Sequence, residues 1–252
     1  MGVSVTRRIG QIKQPRGGYL NPKELNVIEL PTNKELKTEN VHPSLVGLAV
    51  DYLTRFCLTG SAEKAFTFSL IGAENWGYIK QANRLLKNIK TPLDEESVIA
   101  AVKLCGYDVL YRVGPAAYRP VEEIMPDRNT VSNILEMVKR SLNFFSKYGP
   151  ITSDGFDFGT KGYTETVNAG DGDFLTKDTL WDFKVSEKEP TNKQTLQLLM
   201  YWIMGLHSQK SEFKTIQKIG IFNPRLSMVF TYDLKKVSKD TIREIEEEVI
   251  CY

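Results

Sequence analysis

GDGDFLTKDTLWDFKVSEKEPTNKQTLQLLMY, residues 170–201, is the stretch on which the fold turns. Two short alternating runs, Asp171 to Thr176 and Thr179 to Ser186, flank Lys177-Asp178. The pattern predicts a tight hairpin, although Lys-Asp is not one of the strong two-residue turn pairs. With two residues in the loop, pairing puts Asp173 opposite Asp182 and Asp171 opposite Lys184. Side chains alternate along a strand, so these four point from one face. Gly172, Phe174, Trp181 and Phe183 point from the other, the apolar face expected to be buried.

Two carboxylates directly opposite one another repel, which costs stability unless something offsets the charge. A divalent cation is the natural candidate. Mg²⁺ and Mn²⁺ prefer carboxylate and water oxygens, and Mg²⁺ commonly takes only one or two protein carboxylates. A lysine beside the pair can steady a nucleophilic water or the charge of an attacked phosphate. The same spacing also fits a surface hairpin with interspersed acids and a lysine, and spacing alone does not choose between the two.

Asp173 followed by Asp182-Phe183-Lys184 resembles the D…(D/E)xK signature of the PD-(D/E)XK nuclease superfamily, and the order resembles its RecB-like and Cas4-like branch. In that branch a helix after the lysine strand carries Gln-x-x-x-Tyr, here Gln197-Leu198-Leu199-Met200-Tyr201. An upstream helix usually carries Gly-x-x-x-His. Here Gly47-Leu48-Ala49-Val50-Asp51 puts an aspartate in the place of the histidine. The resemblance covers the helix near residue 47 and then roughly residues 160–232. It implies an α/β fold with a restriction-endonuclease-like core, a mixed sheet flanked by helices, carrying a large helical insertion.

The resemblance also implies an activity: metal-dependent hydrolysis of phosphodiester bonds in DNA by an activated water. Mg²⁺ or Mn²⁺ would be held by Asp173 and Asp182, with Asp51 and the backbone carbonyl of Phe183. Lys184 would orient the water or stabilise the transition state, and Gln197 and Tyr201 would position the lysine or a substrate phosphate. Asp171 would pair with Lys184 and tune it. Read in isolation, Asp51 is a surface acid or a partner for Arg55 one turn on. Glu136, on the last helix before the sheet, competes for the upstream acid's role. A catalytically silent nucleic-acid-binding or protein-interaction module on the same fold is the alternative function.

Composition bounds these readings. The chain of 252 residues, 41% hydrophobic and 25% charged, is ordinary for a globular protein with a real core. Its net charge of only +2 supplies no global basic field, which weighs against strong non-specific DNA binding but leaves room for a local basic groove. Three scattered cysteines suit a reducing compartment and exclude a four-cysteine iron–sulfur cluster. No apolar segment follows the first residues, and the run Leu196 to Leu206 is too short to span a bilayer, so a cytoplasmic protein with no membrane partner is expected. His42 and His207 have no partner set that would support a histidine-activated nucleophile.

In chain order, residues 1–42 read as a polar arm followed by a short strand at Leu25 to Leu30. Arg7, Arg8, Lys13, Arg16 and Lys23, with no acid among residues 1–23, suit backbone tracking on DNA and equally a solvated terminus. A core helix is expected over 43–58, with proline in its first turn. Residues 59–150 read as a helical insertion with segments near 61–72, 76–88, 94–113 and 129–147. Residues 151–252 form the expected catalytic core, with a first strand near Tyr163 to Val167, the hairpin, and a helix over 193–207. Gln194, Gln197 and Tyr201 share one face of that helix. Strands near 216–222 and 227–232 follow, then a helix from Ser238 with serine as its cap.

Overall fold

In the computed structural model, which describes residues 2–252, the chain opens with strand β1 (Val3–Ser4), helix α1 (Val5–Gln11) and strand β2 (Asn26–Glu29). Helices α2 (Pro43–Thr59), α3 (Ala62–Ala65), α4 (Thr67–Asn75), α5 (Ile79–Lys87), α6 (Glu95–Cys105), α7 (Asp108–Arg112) and α8 (Arg128–Tyr148) follow. Next come β3 (Ser153–Phe156), α9 (Gly159–Gly162), β4 (Val167–Ala169), β5 (Gly172–Leu175), β6 (Thr179–Phe183) and α10 (Asn192–His207). The chain closes with β7 (Lys218–Asn223), β8 (Met228–Asp233) and α11 (Lys239–Glu244), which runs on as a π-helical turn over Ile245–Ile250.

Two units divide these elements: Met1–Pro31 with Phe145–Tyr252, and Thr32–Phe144. The first holds a mixed six-stranded sheet in the order β2-β8-β7-β6-β5-β3, in which only β6 and β7 run parallel. The second is helical. The α/β class and the mixed sheet flanked by helices follow the expectation from sequence.

The hairpin takes the expected register, with Phe174 opposite Trp181 and Leu175 opposite Leu180. The Thr176 N–H donates to the Thr179 carbonyl at 3.0 Å and closes a loop of Lys177 and Asp178. Neither loop residue has positive φ. Asp178 anchors the loop instead. Its carbonyl accepts from the Gln217 and Lys218 N–H groups, and its carboxylate from the Thr179 hydroxyl at 2.8 Å and Lys218 Nζ at 3.2 Å.

The sheet is covered on both faces. Leu175, Leu180, Ile219, Ile221 and Phe230 join Leu196, Leu199, Met200 and Ile203 of α10 in one core. Opposite, Phe174 meets Phe145 and Trp181 meets Tyr148, both rings coming from the end of α8. The sequence assigned burial to the Phe174 and Trp181 face alone. On the α10 side Leu175, Leu180 and Asp182 are buried as well, while Asp173 and Lys184 are half-buried and Asp171 is exposed.

Two further expectations change. The strand that pairs with the hairpin is β3, not Tyr163 to Val167, and Val167–Ala169 instead pairs in parallel with Val3–Ser4. The N-terminal residues are no free arm: Val5 and Ile9 are buried, and Arg8 donates to the carbonyls of Val249 and Glu248, both at 2.8 Å. The Thr195 hydroxyl donates to the Leu20 carbonyl at 2.7 Å and ties this segment to α10. Helix α2 packs against α6 within the helical unit.

Gly172 marks the tightest point of the motif strand. A Cβ there would stand 1.9 Å from Cζ of Phe156, a ring packed edge-on against Phe158, Tyr201 and Phe213. Gly172→Ala is expected to cost about 1–3 kcal/mol by overpacking, read as a lower urea midpoint. An unchanged midpoint would mean that the ring moves aside freely.

Candidate functional site

Just beyond the last hairpin pair, Phe174 with Trp181, the two aspartates come together. Oδ2 of Asp173 accepts the Phe183 N–H at 2.6 Å, a side-chain bond just beyond the paired backbone of β5 and β6. Asp182 is 3% exposed, and its Oδ1 lies 3.0 Å from Lys184 Nζ. Lys184 continues the β6–β7 ladder through its N–H to the Phe222 carbonyl at 3.0 Å, which fixes the base of its side chain. That side chain is 34% exposed, so the ammonium reaches from solvent to the buried acid.

Asp182 is electrostatically unusual. Its Oδ2 is buried with no hydrogen-bond partner. Burial pushes its carboxyl up to about 7, and the Asp173 charge adds to the rise while Lys184 opposes it. A buried acceptor beside a second carboxylate is satisfied by a proton or by a cation. Among the described residues no group of three or more His, Cys, Asp or Glu side chains is arranged for a metal. Two carboxylates are nevertheless within the usual protein share for Mg²⁺, which keeps several waters. The donor set at Asp173 and Asp182 therefore fits a hard divalent cation.

Helix α10 supplies the polar neighbours. Gln197 Nε2 donates to the Tyr201 hydroxyl at 2.8 Å, and both residues are buried. Burial pushes the Tyr201 phenol up, and the charges of Asp182, Asp173 and Asp171 add to this while the Gln197 bond opposes it. The phenol thus senses the carboxylate cluster. Gln194 does not join this stripe: its Oε1 accepts the Thr191 N–H at 2.8 Å in a capping box at the helix start.

The remaining sequence candidates are exposed or held by other partners. Asp171 precedes β5 and is exposed, while Lys184 makes its ion pair with Asp182. Asp51 belongs to the helical unit and pairs with Arg55 Nε at 2.8 Å. Glu136, in the same unit, pairs with Arg140 Nε at 3.1 Å and accepts from the Thr32 hydroxyl at 3.4 Å. His42 caps α2, its Nδ1 accepting the Ser44 N–H at 3.2 Å, and His207 meets Glu246 at 2.9 Å and stacks on Tyr252.

Asn223 falls just after the strand expected near 216–222, and the sequence gives it no role. It is buried at the end of β7, where its Nδ2 donates to the Ser186 carbonyl at 2.8 Å and its Oδ1 accepts the Arg225 N–H at 3.0 Å. It thereby clamps the segment just after Lys184 to the β7–β8 turn. No helix among the described residues is long and apolar enough to cross a membrane. Comparison with protein-family models, with curated proteins and with solved structures finds no match to this chain.

Proposed function

We propose that this chain is a Mg²⁺- or Mn²⁺-dependent nuclease that hydrolyses phosphodiester bonds in DNA, on a restriction-endonuclease-like core of the PD-(D/E)XK type. The observation that carries the reading is Asp182: a buried carboxylate with an orphaned oxygen, beside Asp173 and in contact with Lys184. The order of Asp173, Asp182-Phe183-Lys184 and Gln197…Tyr201 supports it, as does the presence of all six residues in the sheet-containing unit.

Asp173 and Asp182 would hold the cation, together with the Phe183 carbonyl. A divalent ion bound there would offset the paired negative charge, polarise a phosphoryl oxygen and lower the pKa of an attacking water. Lys184 would orient that water or stabilise charge building on the phosphate. Tyr201, held by Gln197, would fix the position of the lysine or of a substrate phosphate. Asp51 stays with Arg55 in this proposal, which rests on sheet-unit residues alone.

Mn²⁺ titration, followed by the paramagnetic signal of the free ion, tests the centre without relying on turnover. Wild type is expected to bind, and Asp173→Asn and Asp182→Asn each to weaken binding by at least about tenfold, while Lys184→Ala retains it. Binding indifferent to both aspartates, or no binding at all, would remove the metal centre and the nuclease with it.

A further inference from the structure

The helical unit carries a face that the catalytic reading does not use. Residues 75–93 contain Lys80, Arg84, Lys87 and Lys90 and no acid. Lys80, Arg84 and Lys87 stand on α5, exposed and close to four residues apart, so they form one ridge. Among the described residues no carboxylate pairs with these three. The neighbouring acids are occupied or lie at the margins: Glu122 accepts from Gln81, Asp94 caps α6 near Lys90, and Glu74 ends α4. Trp76, just before α5, is 47% exposed and has no ring partner among the described residues. Tyr78 beside it is anchored by stacking on Tyr107 and by a tilted ring contact with Tyr118.

We propose that this ridge, with Trp76 at its end, is a nucleic-acid-binding surface that tracks the phosphate backbone and stacks one base of a single strand. Lys80 to Lys87 covers about 10 Å of helix axis at 1.5 Å per residue, the length of roughly three phosphates of one strand. Trp76 is 47% exposed, and an exposed indole accepts any base, with stacking on it favouring strands whose bases are not already paired. An anionic membrane fits less well. A helix lying in a bilayer surface needs a free apolar face, and α5 has buried Ala82 and Leu86 in the unit's core. The inference does not rest on the catalytic reading, because it concerns binding by a different unit.

The test is fluorescence anisotropy of the full chain in EDTA with a labelled 20-nucleotide single strand and its duplex, over a salt series. Substituting Lys80, Arg84 and Lys87 together by alanine is expected to weaken single-strand binding at least about tenfold and to flatten the log–log salt slope by about 2. Trp76→Ala is expected to weaken single-strand binding about fivefold or more and duplex binding much less. Alanine at exposed Lys235, Lys236 and Lys239 removes the same charge elsewhere and is expected to change nothing. Equal losses in the two triple variants, an unchanged slope, or absence of binding by wild type would overturn the proposal. So would binding to phosphatidylserine vesicles, but not to nucleic acid, that depends on the α5 triad. Failure of metal-dependent cleavage would leave these readouts intact.

Discussion

Asp182→Asn is expected to abolish metal-dependent cleavage while making the metal-free protein more stable at pH 8. Its folded carboxyl is raised to about 7 by burial, against about 3.9 for an unfolded aspartate. Between those values the native state holds the proton more firmly, so stability from this group is fully present below about pH 4. It falls as pH rises and is gone above about 7. Roughly three pH units at 1.36 kcal/mol each set an upper bound near 4 kcal/mol for the cost of ionising Asp182 in place. Asparagine avoids that cost but loses the contact with Lys184, which leaves an expected gain of about 1–3 kcal/mol at pH 8. At pH 4 the two proteins should differ by less than about 1 kcal/mol. Urea melts in EDTA at both pH values decide this. A variant less stable than wild type at pH 8 would show that the ionised carboxylate is well solvated by its partners.

The second large effect lies in the helical unit. Asp108→Ala is expected to destabilise the helical unit by about 3–5 kcal/mol. Asp108 is 1% exposed and gathers three elements: it accepts the Tyr52 hydroxyl of α2 at 2.7 Å, the Ser69 hydroxyl of α4, and Arg112 Nε of α7 at 3.3 Å. Alanine would leave two buried hydroxyls without an acceptor, each costing about 1–3 kcal/mol. Arg112 is half exposed and also sits over the Phe68 ring, so Arg112→Ala should cost only about 1 kcal/mol. Hydrogen exchange across α2, α4 and α7 reads both variants. A change below about 1 kcal/mol for Asp108→Ala would mean that water replaces the carboxylate.

What the sequence disclosed, and what it hid, follows from how local each feature is. The hairpin register was legible because alternation and loop length are local, and Phe174 opposite Trp181 agrees with it. The turn sequence was a poor guide because its stability comes from Lys218 and the backbone beyond it, about 40 residues away. Strand β3, Ser-Asp-Gly-Phe, was hidden: it carries little strand propensity, has Gly155 at φ 73°, and exists because the sheet edge pairs it. Val5 and Ile9 show helical spacing, yet two apolar residues in a basic stretch do not announce a docked helix.

The same division runs through the site. Asp173, Asp182 and Lys184 could be placed together by counting along two strands. Gln197 and Tyr201 could be placed on one helix face, and their 2.8 Å bond follows from i,i+4 spacing. Gln194 shares that face by periodicity, but the backbone N–H of the N-cap residue Thr191 claims it in the capping box. The depth of Asp182 was not readable, because it depends on α10 closing over the sheet. Asn223 and Asp108 each join a local partner to one or two distant in sequence, Ser186 for the first and Tyr52 and Ser69 for the second, and the distant ones are not readable from the sequence around them.

The most direct measurement is cleavage of end-labelled single- and double-stranded DNA with Mn²⁺, Mg²⁺ or EDTA by wild type, Asp182→Ala and Lys184→Ala. The expected result is cutting by wild type that requires the metal, falls by about 10²–10³-fold in Lys184→Ala, and falls at least as far in Asp182→Ala. Absence of cutting by the folded wild type in either metal on both strand forms would contradict the nuclease assignment. Cutting that survives both substitutions would place the chemistry somewhere other than this hairpin.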